Sequence, residues 1–154
     1  MACSYCNSNL EREQFPTNEH GDPLLLDPSD PCDDPRRHLL FLPTNGEFRA
    51  IGSKGQPSID VFGLNDDTPP RQLPTARKDA LVCLQASLLL YDRQVRSGDH
   101  ASAERTRGTI LRYPFSSVLV WLLDTVSRPG AVRVLDDPEL IELIERYQVS
   151  GWLD

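Results

Sequence analysis

The sequence predicts an α+β fold: an irregular, zinc-knuckle-like N-terminus and a small β-hairpin, followed by a cluster of α-helices. Three observations carry the prediction. Proline is abundant, 13 in 154 residues, and most of it falls before position 75, which makes the first half rich in loops. Asn45-Gly46, a strong turn dipeptide, lies between two short runs of strand character. From Leu73 onward, apolar residues recur at helical spacing. Residues 1–70 are therefore read as a knuckle, loop and hairpin region, and residues 71–154 as a helical region packed on it, the whole having the size of one modest domain.

Taken in order, the elements begin with the pair Cys3-Ser4-Tyr5-Cys6. Two thiolates separated by two residues grip one face of a tetrahedral zinc ion, because a tight turn aims both sulfurs at one point; closing the site takes two more ligands. After it, the prolines and aspartates around Pro23-Leu24-Leu25-Leu26-Asp27-Pro28 exclude a long helix or a central strand, leaving an irregular segment pinned by the three leucines. His38-Leu39-Leu40-Phe41-Leu42 and Glu47-Phe48-Arg49-Ala50-Ile51 are the two hairpin strands, with His38 read as structural. Ser58 is placed as the cap of a short helix running from Ile59 to Leu64.

The periodic half follows. Leu73, Ala76, Ala80, Leu84, Leu88 and Tyr91 form a helical stripe, with Pro74 in the first turn and Ser97-Gly98 at the end. Cys83, inside that pattern, is expected to be a small buried hydrophobe. A second helix carries Phe115, Leu119, Leu122, Leu123 and Val126. A third starts behind Asp136-Asp137-Pro138 with Leu140, Ile141, Ile144 and Tyr147, since proline at the first helical position after an aspartate is a start signal.

Composition bounds the function. No apolar stretch reaches the ~18 residues a membrane span needs, and no apolar run follows basic residues at the N-terminus, so a cytoplasmic protein is expected. The net charge of −7 argues against a strong non-specific nucleic-acid binder. Arg36-Arg37, Arg71 with Arg77 and Lys78, and the arginines from Arg93 to Arg112 either gather on one face or lie scattered in solvent. The acidic runs Asp27 to Asp34 and Asp66-Asp67 read most simply as solvated loops. Four cysteines, Cys3, Cys6, Cys32 and Cys83, do not make a secreted disulfide framework. Cys32 is either a further metal ligand or an idle loop thiol. The two residues ahead of Cys3 supply no strand, so a thioredoxin-like redox pair is not expected, and hydrolase, phosphate-loop and metalloprotease signatures are missing.

The ordered set Cys3-x-x-Cys6-Asn7, Phe15-Pro16, Pro23 to Pro28, Asp34-Pro35, His38-Leu39, Gly46, Gly55, Ile59, Gly63-Leu64-Asn65, Leu73 and Arg77 resembles HNH endonucleases of the branch associated with retron and Septu-type anti-phage defence. The resemblance covers residues 3–80, with a further match at Pro114-Phe115-Ser116. It implies a structural zinc, for which Cys3 and Cys6 are half of the ligand set. It also implies a divalent metal such as magnesium at the catalytic centre, faced by Asn7 unless that residue only closes the knuckle as an Asx turn. Partners implied are DNA and, in a defence assembly, an ATPase or a reverse transcriptase.

The sequence departs from the family in what precedes the knuckle. The first Cys-x-x-Cys and the segment whose histidine activates water have no counterpart in the 154 residues, and Glu11 stands where a lysine is usual. His20 lies on the wrong side of the knuckle to replace the base. The expectation is a component or truncated form of a metal-dependent DNA endonuclease, inactive as an isolated chain, or alternatively a non-catalytic adaptor for a defence-system partner.

Overall fold

The computed structural model describes residues 15–27, 29–113 and 116–153. Within them lie six α-helices and one two-stranded antiparallel sheet, so the protein is α+β. The chain divides into two compact units, one reaching to Ala76 and the other starting at Arg77, so the dividing point falls inside a helix.

In the first unit the chain runs Pro16 to Leu24 as a small turn-closed loop. Thr17 and Pro23 form an antiparallel bridge, Leu24 N–H donates to Pro16 O at 2.9 Å, and the Asn18 side chain accepts from the backbone of His20 and Asp22. A single 3-10 turn, Pro35–Arg37, is capped by the Asp34 carboxylate and started by its proline. Strands β1 (Leu39–Leu42) and β2 (Glu47–Ala50) follow, in the register Leu39↔Ala50 to Leu42↔Glu47. Leu39 and Phe41 are buried, as alternation requires of a strand with one face inward. Phe41 and Phe48 are direct cross-strand partners, with ring centroids 5.7 Å apart. The connection is four residues long, 43–46. Gly46 supplies the positive φ of 75° that brings its N–H back to Leu42 O at 2.8 Å.

Helix α1 (Gly55–Phe62) begins three residues before the capping serine that the sequence suggested. Ser58 is inside the helix and wholly buried, and its hydroxyl accepts the Leu26 N–H at 2.9 Å. Gly55 opens the helix instead, close against the His38 carbonyl and the Ala50 side chain. The other end is a Schellman closure: Gly63 takes a left-handed φ of 55°, its N–H reaches Asp60 O, and Leu64 N–H reaches Ile59 O at 3.0 Å.

Helix α2 (Leu73–Arg96) has the extent its stripe and the Ser97-Gly98 stop indicate. Ala80, Leu84 and Leu88 are buried at four-residue spacing. Cys83 is exposed, contrary to expectation: a step of one residue before Leu84 turns the side chain ~100° away from that buried line. Helix α3 (His100–Leu111), capped by Asp99, was not indicated by any apolar stripe; of its residues only Ala103 and Ile110 are buried. Helix α4 (Ser116–Val126) buries Val118, Leu119, Trp121 and Leu122, and the short α5 spans Ala131–Leu135. Helix α6 (Pro138–Arg146) starts as its Asp-Pro signal requires, with Asp137 accepting Leu140 N–H at 3.0 Å, and buries Leu140, Ile141, Leu143 and Ile144. No described strand follows residue 72. No described helix is long and apolar enough to cross a membrane.

Candidate functional site

Cys3, Cys6 and Asn7, the residues that the family resemblance makes a zinc half-site and a metal-facing position, lie outside the described residues, as does Glu11. The remaining metal candidates are described. His20 is exposed at the tip of the loop closed by Asn18, and Cys32 is exposed with its N–H held by the Asp30 carboxylate at 2.8 Å. Among the described residues no three His, Cys, Asp or Glu side chains are grouped so as to hold a metal ion. The structure therefore does not bring His20 and Cys32 into a ligand set with described residues.

What the first unit does assemble is a scaffold in which several polar side chains are held by specific contacts. Asp33 is a buried charge among the described residues of this unit, 8% exposed. Its Oδ2 accepts the Asp27 N–H at 3.0 Å and pairs with the Lys54 ammonium. The Lys54 ammonium hydrogen bond, joined by the Asp27 N–H, holds the Asp33 carboxyl below the ordinary carboxylate range. Asp33 is thus ionised at neutral pH and committed to an internal clasp. Asp27 and residues 29–32 are exposed, as the reading of this run as a solvated loop requires, and Asp33 is the residue that departs from it. Asp34 works alongside it, accepting Arg36 N–H and a forked contact from the Arg36 guanidinium, which lowers its pKa in the same direction.

Asp66 and Asp67 are also structural rather than merely solvated. Asp66 accepts from both the backbone and the hydroxyl of Thr68, and Asp67 accepts the Thr75 N–H at 3.1 Å at the start of α2. His38 has a structural role, with its Nδ1 facing the Lys54 N–H at 3.4 Å and its carbonyl accepting the Ile51 N–H at 2.9 Å.

Gly55 is the tightest position. A Cβ there would lie 2.2 Å from the His38 carbonyl oxygen and 3.0 Å from the Ala50 side chain, closer than real Cβ atoms come to backbone. Asn65 then ties the helix exit to β2 through its amide. Arg71 closes the C-terminal end of α1, donating to Phe62 O at 2.8 Å. Beside these, Phe15, Pro16, Gln56, Pro57, Asp60 and Val61 line a surface groove of about 590 Å³, with Phe15 itself 67% exposed.

Some of the cations that were candidates for a nucleic-acid face have partners within the protein. Arg36 pairs with Asp34, Arg71 lies 3.8 Å from Asp66, and Arg77 is buried. In the second unit Arg96 and Arg146 pair with Asp92, Arg107 with Glu104 and Arg128 with Asp124.

That second unit carries a feature the sequence did not signal. Asp92, 3% exposed, accepts the Tyr147 hydroxyl at 2.8 Å and Arg146 Nη1 at 2.9 Å, and pairs with Arg96. Burial alone raises the Asp92 carboxyl; the Tyr147 hydroxyl and the two arginines outweigh it and hold the pKa below the ordinary value. Burial and the bond to Asp92 raise Tyr147. Tyr91 packs edge-on against Tyr147 and Trp152 at 5.0 and 4.9 Å, and Arg107 lies over the Trp152 ring. Asp92 and Tyr147 are 55 positions apart, and no local motif announces such a meeting.

No family model, no characterised protein and no solved structure matches the chain.

Proposed function

We propose that this chain is a component or truncated form of an HNH-type, metal-dependent DNA endonuclease of prokaryotic anti-phage defence. As an isolated chain it does not cut DNA. The observation that carries the reading is the ordered run of matched residues from Cys3 to Asn65. It is supported by the demands several of those positions make on residue type: a carboxylate cap at Asp34, no side chain at Gly55, a left-handed turn at Gly63 and a two-way amide at Asn65. Those demands belong to the scaffold.

In the proposed chemistry, Cys3 and Cys6 supply two thiolates to a structural zinc, and Asn7 faces a divalent metal such as magnesium that stabilises charge on the scissile phosphate. The general base that activates water belongs to a segment without a counterpart in these 154 residues. Phosphodiester cleavage lacking base catalysis loses roughly 10²–10⁴ in rate from that term alone.

The test is a plasmid-nicking assay. The purified chain is expected to leave supercoiled DNA intact with magnesium, manganese or zinc. An extended chain in which a Cys-x-x-Cys and an Asp/Glu-His-Phe segment precede Met1 is expected to bind zinc and nick, with nicking lost in Asn7→Ala. Cleavage by the 154-residue chain that depends on His20 instead would place the active site elsewhere.

A second reading is a non-catalytic adaptor for a defence ATPase or reverse transcriptase; it is favoured by the pairing of Arg36 with Asp34 and of Arg96 with Asp92, which offsets part of the positive charge a nucleic acid would meet. An extended chain that neither binds metal nor cuts, yet is retained by a defence-system partner, supports that reading.

A further inference from the structure

One face of α2 is left open to solvent, and the spacing of its residues reads the same in both directions. Asp79, Val82, Cys83, Ala86, Leu89, Leu90 and Arg93 are all exposed, with Val82 at 64% and Leu90 at 48%. Their spacings are 3, 1, 3, 3, 1 and 3 residues, a palindrome centred on Ala86. At ~100° per residue they fall within one ~120° arc, a single stripe on the helix. Tyr113 lies beside the stripe, with its hydroxyl toward Cys83. The two ends carry opposite charge, Asp79 and Arg93, the flanks are apolar, and the centre is small.

We propose that this stripe docks against the same stripe of a second copy of the chain, the two α2 helices crossing antiparallel at Ala86 on a two-fold axis. In such a pair, residues equally far from Ala86 on opposite sides lie level. Asp79 of each copy then faces Arg93 of the other, while along the two edges of the seam Val82 meets Leu89 and Cys83 meets Leu90. A two-fold interface must be self-complementary, because each patch meets its own copy. A stripe with like charges at both ends, or with a charge at the centre, would repel itself; this one attracts at both ends and buries apolar side chains between. The seven-residue steps Asp79, Ala86 and Arg93 keep the seam in line along ~21 Å of helix. Alanine at the crossing lets the helix axes approach closely, since the side chains at the contact set the separation. Seven residues a side are fewer than the roughly 20–30 of a standard stable interface, so the dimer is expected to be concentration-dependent.

The experiment is sedimentation of the full chain over a concentration series, with EDTA present so that no dimer bridged by zinc through Cys3 and Cys6 contributes. The mass is expected to rise from 17.3 kDa toward twice that value. Asp79→Arg or Arg93→Asp alone puts like charges at both ends and is expected to weaken dimerisation about tenfold or more; the double variant Asp79→Arg/Arg93→Asp restores it. Leu90→Glu abolishes it. These residues are exposed, and an unchanged far-ultraviolet dichroism spectrum confirms that each variant folds. With Leu90→Cys, oxidation is expected to link Cys83 of one copy to the introduced thiol of the other. A wild-type chain that stays monomeric throughout overturns the proposal. So does a dimer lost in EDTA, or a double charge swap no better than either single variant.

Discussion

The side-chain amide of Asn65 binds the backbone of Phe48 in both directions. Phe48 N–H donates to Asn65 Oδ1 and Asn65 Nδ2 donates to Phe48 O, each at 2.8 Å. The amide thus does what a third strand would do at that one residue of β2, and fastens the exit of α1 to the hairpin. Only asparagine of this length offers a donor and an acceptor side by side.

Asn65→Ala removes both bonds and leaves a part-buried N–H and C=O to find water. The expected loss is about 1–3 kcal/mol, the range for stranding such groups. Asn65→Asp keeps the acceptor but points a carboxylate oxygen at the Phe48 carbonyl, so at neutral pH it is expected to lose at least as much. Urea unfolding curves check both; a change under ~0.5 kcal/mol in Asn65→Ala would show that the pair carries no net stability.

Gly55→Ala places a methyl group 2.2 Å from the His38 carbonyl oxygen, which is backbone and cannot swing away. Either β1 or α1 must shift, and overpacking of this kind costs about 1–3 kcal/mol or more. Gly151→Ala is the control, since nothing lies within 4 Å of its added Cβ and its φ is not positive. The expected order of thermal midpoints is wild type and Gly151→Ala together, with Gly55→Ala well below. Equal midpoints for the two variants would contradict the contact.

The uneven legibility of this chain has physical causes. The hairpin and α2 were readable because burial there is periodic: Leu39 and Phe41 alternate along β1, and Ala80, Leu84 and Leu88 repeat every turn. Helix α3 was hidden because Ala103 and Ile110 are its only buried residues, too few for a stripe; its cap Asp99, which accepts Ser102 N–H at 3.0 Å, was the available signal. Ser58 misled because serine favours helix starts, whereas here its hydroxyl serves Leu26, 32 residues away. Asp33 and Asp92 were missed for the same reason, since both are stabilised by partners distant in sequence. Of the candidate site, His20 and Cys32 proved exposed, and Cys3, Cys6 and Asn7 lie outside the described residues.

Asp92 makes the stability of the second unit depend on acid. Its folded pKa is depressed, so the unfolded state takes up a proton first as pH falls. The stabilisation is complete above the unfolded carboxyl value of ~3.9 and is lost as pH falls from there through the folded value. Asp92→Asn keeps an acceptor for Tyr147 but gives up the charge that Arg96 and Arg146 face. The expected cost at neutral pH is about 1–3 kcal/mol, reduced from that of a fully buried pair because both arginines remain part-exposed. The variant's stability is expected to fall less steeply below pH ~4 than the wild type's. Parallel acid limbs for the two proteins, followed by dichroism, would remove Asp92 as a source of the pH dependence.

Zinc retention tests the N-terminal reading separately from cleavage. A structural zinc needs four ligands, and Cys3 with Cys6 supplies two. His20 and Cys32 are the nearest remaining candidates in sequence, but both are exposed and neither joins a three-donor group among the described residues. The isolated chain is therefore expected to bind zinc weakly and to release it on gel filtration, and Cys3→Ser/Cys6→Ser is expected to remove what binding there is. Adding an upstream Cys-x-x-Cys completes the tetrahedron and is expected to convert this to stoichiometric zinc that survives the column, measured by metal analysis of the eluted protein. If a monomeric His20→Ala/Cys32→Ser variant of the 154-residue chain keeps one zinc through the column, the half-site assignment is wrong, because donors other than these must then complete the coordination.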